Sequence, residues 1–241
     1  MTGILRLLPV LLLGVISLGS GSAGRAERAA SRPASSSPVK LDVSRIYIEY
    51  NSSDNDLGFH VFLDGEDWRE IAIVNPSGRI IFEVEGAGAF GRLGLTELFF
   101  EGAEPSLDDV PLERLLAMFP EGRYRFTGVT AAGERLTGQS RLSHAVPAGP
   151  SVSADVYPDT VIIKWDPVTE PPEGFPNREI AIAGYQVIVG SFQVTLPASA
   201  AEVTVPREFV ASLAPGTHEF EVLAIEKNGN QTITAGSFET R

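Results

Sequence analysis

Residues 45–86 read RIYIEYNSSDNDLGFHVFLDGEDWREIAIVNPSGRIIFEVEG, a succession of short runs in which apolar and polar side chains alternate. Alternation with a period of two places successive side chains on opposite faces of a strand, and runs rich in Ile, Val, Phe and Tyr favour strands. Asp-Gly at 64–65 and Asn-Pro-Ser-Gly at 75–78 are turn signals. The stretch therefore predicts a mainly β fold, with strands at 45–50, 58–65, 68–74 and 79–86.

The stretch 106–120, SLDDVPLERLLAMFP, breaks this rhythm. Four apolar side chains recur there at helical spacing, Pro111 suits a first helical turn and Pro120 ends the pattern. The four side chains are those of Leu112, Leu115, Leu116 and Phe119. We therefore predict a short helix inserted into the N-terminal β domain.

A change of composition divides the chain near residue 148. Residues 145–150, AVPAGP, are small residues and prolines without periodicity, which is typical of a linker. The 241 residues suffice for two domains of ordinary size. We predict an N-terminal β-sandwich-like domain at 41–146 and a second domain at 150–241.

Four motifs of the second domain resemble those of the fibronectin type III family. They are VIIKWDPV (161–168), IAGYQVIVG (182–190), AEVTVP (201–206) and LAPGTHEFEVLAIEKNGN (213–230). The first resembles the family's second strand, whose tryptophan fills the core, and the last resembles its corner and sixth strand. The resemblance implies a fibronectin type III domain at the C-terminus. Because exported eukaryotic proteins usually contain disulfides and this chain has no cysteine, we expect a bacterial exported protein. We therefore predict two tandem antiparallel β-sandwich domains of the immunoglobulin-like or fibronectin type III-like kind.

The corner of the second domain departs from the family pattern. The family's corner tyrosine is represented by His218 or Phe220. Aligning Gly122 with Gly216 places Tyr124 on His218, so a similar closing hairpin is expected in both domains.

The N-terminus predicts export. In residues 1–23, Arg6 precedes a twelve-residue apolar run at 7–18, which is followed by small residues, as in a secretory signal peptide cleaved after Ala23. The run is shorter than the roughly 20 residues that a bilayer span needs. Residues 24–40 are rich in Ala, Ser, Pro and Arg and predict a flexible linker. We expect a periplasmic or secreted protein with no stable membrane span after cleavage.

The composition excludes several function classes. With 31 acidic against 19 basic residues, the net charge is −12, so no basic surface for nucleic acid is expected. The chain has no cysteine, which excludes disulfides and thiolate chemistry, and it has no catalytic serine motif after the signal peptide. The three histidines are far apart in sequence and are expected at sheet surfaces or strand ends. They are His60, His144 and His218.

Acidic residues offer one candidate cofactor, calcium. Asn51, Asp54 and Asp56 place oxygen ligands close together in NSSDNDLG (51–58). Glu101 opens a second acidic run, EGAEPSLDDVPLE (101–113), which also contains Glu104 and Asp108. The alternative interpretation is a polar hairpin turn and a solvated loop. Calcium binding predicts a melting temperature that rises in millimolar Ca²⁺ and falls back with EDTA.

One aromatic residue, Trp68, follows the acidic stretch 64–67 and is a candidate for stacking on a sugar, although a tryptophan at such a place is more often part of the core.

The preferred function is a non-catalytic exported binding protein of the cell envelope or extracellular space, whose partner is a protein or a polysaccharide. The alternatives are a carbohydrate-binding accessory protein or hydrolase, and a calcium-dependent structural protein.

Overall fold

The computed structural model describes residues 37–240, which fold into fourteen strands and three helices. The strands are β1 (Val39–Lys40), β2 (Val43–Asn51), β3 (Asp56–Val74), β4 (Ile80–Glu85), β5 (Leu95–Glu101), β6 (Gly122–Thr130), β7 (Arg135–Leu142), β8 (Val152–Tyr157), β9 (Thr160–Trp165), β10 (Ile182–Val189), β11 (Phe192–Pro197), β12 (Glu202–Val205), β13 (Gly216–Glu226) and β14 (Gln231–Thr240). The helices are α1 (Gly88–Leu93), α2 (Leu112–Met118) and α3 (Arg207–Val210). The mainly β fold and the short helix at 112–118 agree with the predictions.

The predicted signal peptide lies outside the described residues, as does the predicted linker except for its last four residues. Two of those four, Val39 and Lys40, form β1, which pairs in parallel with β7. The ordered β structure therefore begins before residue 41.

The predicted turn at Asp64-Gly65 is wrong, because β3 continues through it for 19 residues. The pairing register shifts between Asp64 and Trp68, so the dipeptide bends the strand rather than reversing it. The first part of β3 pairs with β2 and β5, and the last part pairs with β6 and β4. Because each part of β3 is paired with a strand along either edge, β3 stays extended across the bend.

The bent sheet encloses the first core. The alternate residues Leu57, Phe59, Val61 and Leu63 of β3 point into it, and Leu115 and Leu116 of α2 cover it. Trp68, Tyr124 and Phe126 are fully buried there. The first core is thus covered by the strands of a single sheet together with α2.

The second half has two sheets packed around a second core. One sheet has the order β12-β9-β8, and the other contains β14-β13-β10-β11. Their inner faces bury Trp165, Tyr185, Val187 and Phe220. The second half is thus a two-sheet antiparallel β-sandwich, in agreement with the predicted fold class.

Both halves have the same closing corner. Tyr124 donates its hydroxyl to the carbonyl of Pro120 at 3.1 Å, and Nε2 of His218 lies 2.9 Å from the carbonyl oxygen of Ala214. Both contacts reach back four residues. Gly122 and Gly216 also share a positive φ, 137° and 140°, which favours glycine. The histidine thus takes the place of the corner tyrosine in the second half.

The two cores are joined through a junction between β14 and β2. These strands pair in parallel, with Gln231 opposite Glu49, so one eleven-stranded sheet runs through both halves. Asn230, just before β14, accepts the N–H of Ile48 at 2.8 Å and donates to the carbonyls of Ser143 and Ala145 at 2.8 and 2.9 Å. We call this pairing together with the Asn230 bonds the junction.

The junction also holds the segment predicted as a linker. Ala145, Val146 and Pro147 are buried, and Pro147 accepts a hydrogen bond from the hydroxyl of Thr232. The predicted division into domains at 41–146 and 150–241 therefore falls in a segment that is itself buried and hydrogen-bonded, and unfolding measurements test it.

Candidate functional site

The predicted calcium loop is a turn between β2 and β3. Asn51 Oδ1 accepts the N–H groups of Ser53 and Asp54 at 3.0 and 3.3 Å, and its Nδ2 donates to Asp54 Oδ2 at 3.0 Å. Asn55, with φ of 55°, donates to Asp108 Oδ1 at 3.1 Å. The turn and the second acidic run therefore lie side by side.

The four predicted calcium ligands are spread over this region. Asn51 and Asp54 belong to the turn, Asp56 is buried at the start of β3, and Glu101 lies opposite His60 at the end of β5. Calcium binding by these residues stays a prediction.

Trp68 is fully buried in the first core. A buried indole presents no face to a ligand, so the core interpretation holds and sugar stacking by Trp68 is wrong. The bend in β3 explains the burial, because the strand continues into the core where a surface turn was expected.

The histidines occupy three different environments. His60 was expected at a sheet surface or a strand end, but it lies within β3 and its side chain is only 2 % exposed, so that expectation is wrong. His144 places Nε2 2.8 Å from the carbonyl of Phe119, and His218 forms the corner of the second half. Among the three, His60 alone is buried without a hydrogen bond to either ring nitrogen in the described part of the chain.

His60 belongs to a cluster with two carboxylates. Glu49, His60 and Glu104 each offer a donor atom, and these three atoms lie within 4.8 Å of one another. Glu49 Oε1 is 3.7 Å from His60 Nε2, and the Glu49 side chain is only 6 % exposed. We call these three residues the polar cluster.

Strand alternation places Glu49 and His60 on the face of the sheet opposite the first core. Their neighbours Ile48, Phe59 and Val61 point into that core. Glu104 reaches this face because Gly58, opposite Glu49, has no side chain; a Cβ there would lie 2.8 Å from Glu104 Cγ. The glycine therefore makes room for the third member of the polar cluster.

Neighbouring groups orient the polar cluster. The His60 ring stacks on Tyr47, with centroids 4.9 Å apart, and meets Phe99 at 5.9 Å. Gln231 donates a hydrogen bond to Glu49 Oε2, which leaves Oε1 facing His60. Aromatic packing and one amide thus hold the imidazole and one carboxylate in place.

Burial governs the protonation of the polar cluster. It raises the pKa of the Glu49 carboxyl to about 7, against the hydrogen bond from Gln231, and nearby Glu101 raises it further. Burial also lowers the pKa of His60, while Glu101 opposes that change. The imidazole is therefore neutral near pH 7, which is the state in which it can act as a ligand.

Sequence reasoning missed Glu49 and His60 as a pair. Both occupy the polar positions of alternating strands, and nothing in the local pattern marks that face as buried. Glu104 was included in the acidic run at 101–113, but its neighbours there gave no indication that it meets a histidine from β3.

A second feature is an apolar projection between β4 and β5. The stretch GAGAFG (86–91) leads from β4 into the six-residue helix α1. No residue of α1 is buried; Phe90 is 59 % and Leu93 is 74 % exposed. We call Phe90 and Leu93 the apolar tip.

The glycines around α1 explain its local shape. Gly88 and Gly94 have φ of 56° and 87°, and a Cβ on Gly91 would lie 2.4 Å from the Gly86 oxygen. β4 and β5 pair with consecutive parts of β3 along the same edge of that strand, and residues 86–94 connect them. This connection carries two large apolar side chains, Phe90 and Leu93, and buries neither.

Charged residues of both signs lie near the apolar tip, and Arg92 is exposed on α1 itself, between Phe90 and Leu93. Asp67 packs against Gly94, and Glu85 and Glu97 are exposed on the strands that flank α1. A groove of about 670 Å³ lies on the outer face of the sheet, and its lining includes the acids Glu70 and Glu83 and the basic residue Arg135. Next to the projection, the three acids Asp67, Glu85 and Glu97 therefore outnumber the single arginine of α1.

Within residues 37–240, no helix is both long and apolar enough to cross a membrane.

No family model matches the chain, and no curated protein does. Among solved structures, the chain is similar to the spore cortex lytic enzyme SleM of Clostridium perfringens, with 16% identity, a TM-score of 0.32, and coverage of 39% of this chain and 28% of that chain. It is also similar to the fibronectin(III)-like modules of Clostridium thermocellum CbhA, with 10% identity, a TM-score of 0.30 and coverage of 83% and 93%. A third is Tp47, the 47-kilodalton lipoprotein of Treponema pallidum, with 12% identity, a TM-score of 0.33 and coverage of 87% and 53%. Likenesses this distant carry no argument about function, and the strand order itself describes the fold.

Proposed function

We propose that this chain is an exported, non-catalytic binding protein that attaches to a protein of the cell envelope or the exterior through its apolar tip. Export is supported by the predicted signal peptide at 1–23. The observation that carries the proposal is α1, an element with no buried residue that displays Phe90 and Leu93.

A folded chain gains nothing from exposing these side chains to water. Burying a phenylalanine or a leucine is worth roughly 1.5–3 kcal/mol, and aromatic anchors dominate many protein interfaces. Phe90 and Leu93 are three residues apart, so they share one side of the helix. Both side chains can therefore enter a single apolar pocket on a partner.

The charge around the apolar tip favours a protein with a basic rim over a second copy of this chain. Two copies would bring Asp67, Glu85 and Glu97 toward their own equivalents, and each copy has a net charge of −12. The same acids oppose insertion into an anionic membrane surface. We therefore expect association to slow as salt concentration rises.

Site-specific crosslinking tests the proposal. A photo-crosslinking amino acid at Phe90 is expected to capture a discrete protein in the native envelope, whereas the same group at Tyr157, which is 53 % exposed on β8, captures none. The captured protein is then purified, and its affinity for the purified chain is measured. Phe90→Ser with Leu93→Ser is expected to weaken that affinity at least about 10-fold, as for interface anchors.

The proposal fails if the double variant binds the captured protein as tightly as the native chain does. It also fails if the Phe90 probe labels only lipid, or if the purified chain binds uncharged vesicles through Phe90. Circular dichroism of the double variant is the control for folding, and little change is expected because both side chains are exposed.

A further inference from the structure

We propose that the polar cluster of Glu49, His60 and Glu104 is a binding site for a divalent transition metal, with zinc as the reference ion. The site differs from the predicted calcium loop, because its ligands come from β2, from β3 and from the segment after β5. It also differs from the apolar tip and does not depend on the proposed partner.

The donor set is suited to such an ion. One imidazole nitrogen and two carboxylate oxygens are ordinary zinc ligands, and two carboxylates balance the charge of a divalent cation. Calcium prefers six to eight oxygens, so an imidazole in the set argues against it. A fourth position remains for water or another ligand.

The geometry is close to that of a coordination sphere. With zinc–ligand bonds of about 2.0–2.1 Å, donors in a tetrahedral site lie about 3.3 Å apart. Glu49 Oε1 and His60 Nε2 are already 3.7 Å apart, and all three donors lie within 4.8 Å. Small side-chain rotations of Glu104 complete the approach, while Gln231 holds Glu49 as an outer-shell partner.

The histidine provides an observation independent of the acids. His60 is 2 % exposed, and neither ring nitrogen has a hydrogen-bond partner within the described part of the chain. Buried polar atoms are nearly always satisfied, and each exception calls for an explanation. A metal bound on the Glu49 side of the ring supplies the missing partner for Nε2.

Titration of the purified, metal-free chain with ZnCl₂ tests the site. Calorimetry is expected to give one ion per chain, and zinc is expected to raise the melting temperature. Co²⁺ is expected to give the visible absorption of a tetrahedral site. Zinc binding should be at least about 100-fold weaker in His60→Asn and in the isosteric variants Glu49→Gln and Glu104→Gln, because each removes one of three ligands.

Two further variants sharpen the test. Gln231→Ala is expected to weaken zinc about 10-fold, as loss of an outer-shell partner does. Glu97→Gln removes an exposed acid on β5 outside the cluster and is expected to leave zinc affinity unchanged. If His60→Asn does not fold, the two isosteric variants still decide the question.

The proposal is overturned if zinc binds with no defined stoichiometry, or if its affinity is the same in Glu49→Gln and Glu104→Gln as in the native chain. If zinc binding is lost in Asp54→Asn but kept in Glu49→Gln, the zinc site lies in the turn after β2 and not in the polar cluster. The partner experiment has a separate readout, so failure of one proposal leaves the other standing.

Discussion

Replacing Asn230 by alanine is expected to lower the free energy of unfolding by about 2–4 kcal/mol, although the side chain belongs to neither core. The substitution leaves the buried N–H of Ile48 and the carbonyl of Ser143 without their partner. A buried polar group that loses its hydrogen bond costs about 1–3 kcal/mol. The carbonyl of Ala145 keeps one hydrogen bond in this variant, because it also accepts from Asn228 Nδ2 at 3.0 Å.

The variant Asn230→Asp distinguishes the hydrogen bond that Asn230 accepts from those that it donates. It keeps an acceptor for Ile48 but places a carboxylate oxygen against the carbonyls of Ser143 and Ala145. We expect it to be destabilised at least as much as the alanine variant. Urea denaturation measures both, with the exposed Asn177→Ala as a control expected within about 0.5 kcal/mol of the native chain. A loss below about 1 kcal/mol for Asn230→Ala would contradict the role given to the junction.

Replacing Trp68 by alanine is expected to cost about 3–5 kcal/mol, the usual effect of removing a large aromatic side chain from a core. The indole is fully buried where β3 emerges from its bend, so the cavity forms among residues held by several strands. Circular dichroism during urea denaturation is the suitable measurement, because the substitution removes one of the two tryptophan fluorophores.

Phe90→Ala is the matched control for this variant, since it removes an aromatic ring that is 59 % exposed. Its stability is expected to change by about 0.5 kcal/mol at most. If Trp68→Ala kept native stability and lost binding to a polysaccharide, the carbohydrate alternative would return and the core assignment would be wrong.

The local parts of this fold could be predicted from the sequence. Alternation is visible at 45–50 and at 161–165, and helical spacing is visible at 112–118, because these patterns depend on neighbours within a few residues. The alignment of Tyr124 with His218 also found the shared corner, since each contact reaches back only four residues.

The non-local parts could not be predicted. The turn signal at Asp64-Gly65 was overridden because both parts of β3 have partners on either side, and those partners come from distant segments. The pairing of Gln231 with Glu49 joins residues 182 positions apart, and no local pattern specifies such a register. Glu49 and His60 were missed for the same reason.

The junction predicts that residues 37–240, which carry both the polar cluster and the apolar tip, unfold as one body. The chain places one tryptophan in each core, Trp68 in the first and Trp165 in the second. Trp165→Phe therefore leaves a fluorophore that reports only the first core, and Trp68→Phe leaves one that reports only the second.

For each single-tryptophan variant, urea unfolding is followed by fluorescence and by circular dichroism on the same samples. Comparison within one variant removes the effect of the substitution on stability. We expect the two signals to have the same midpoint in both variants, as in a single cooperative transition. Fluorescence and circular dichroism midpoints that separate in either variant, with one core unfolding while the rest of the β structure persists, would contradict it and would support two independent domains.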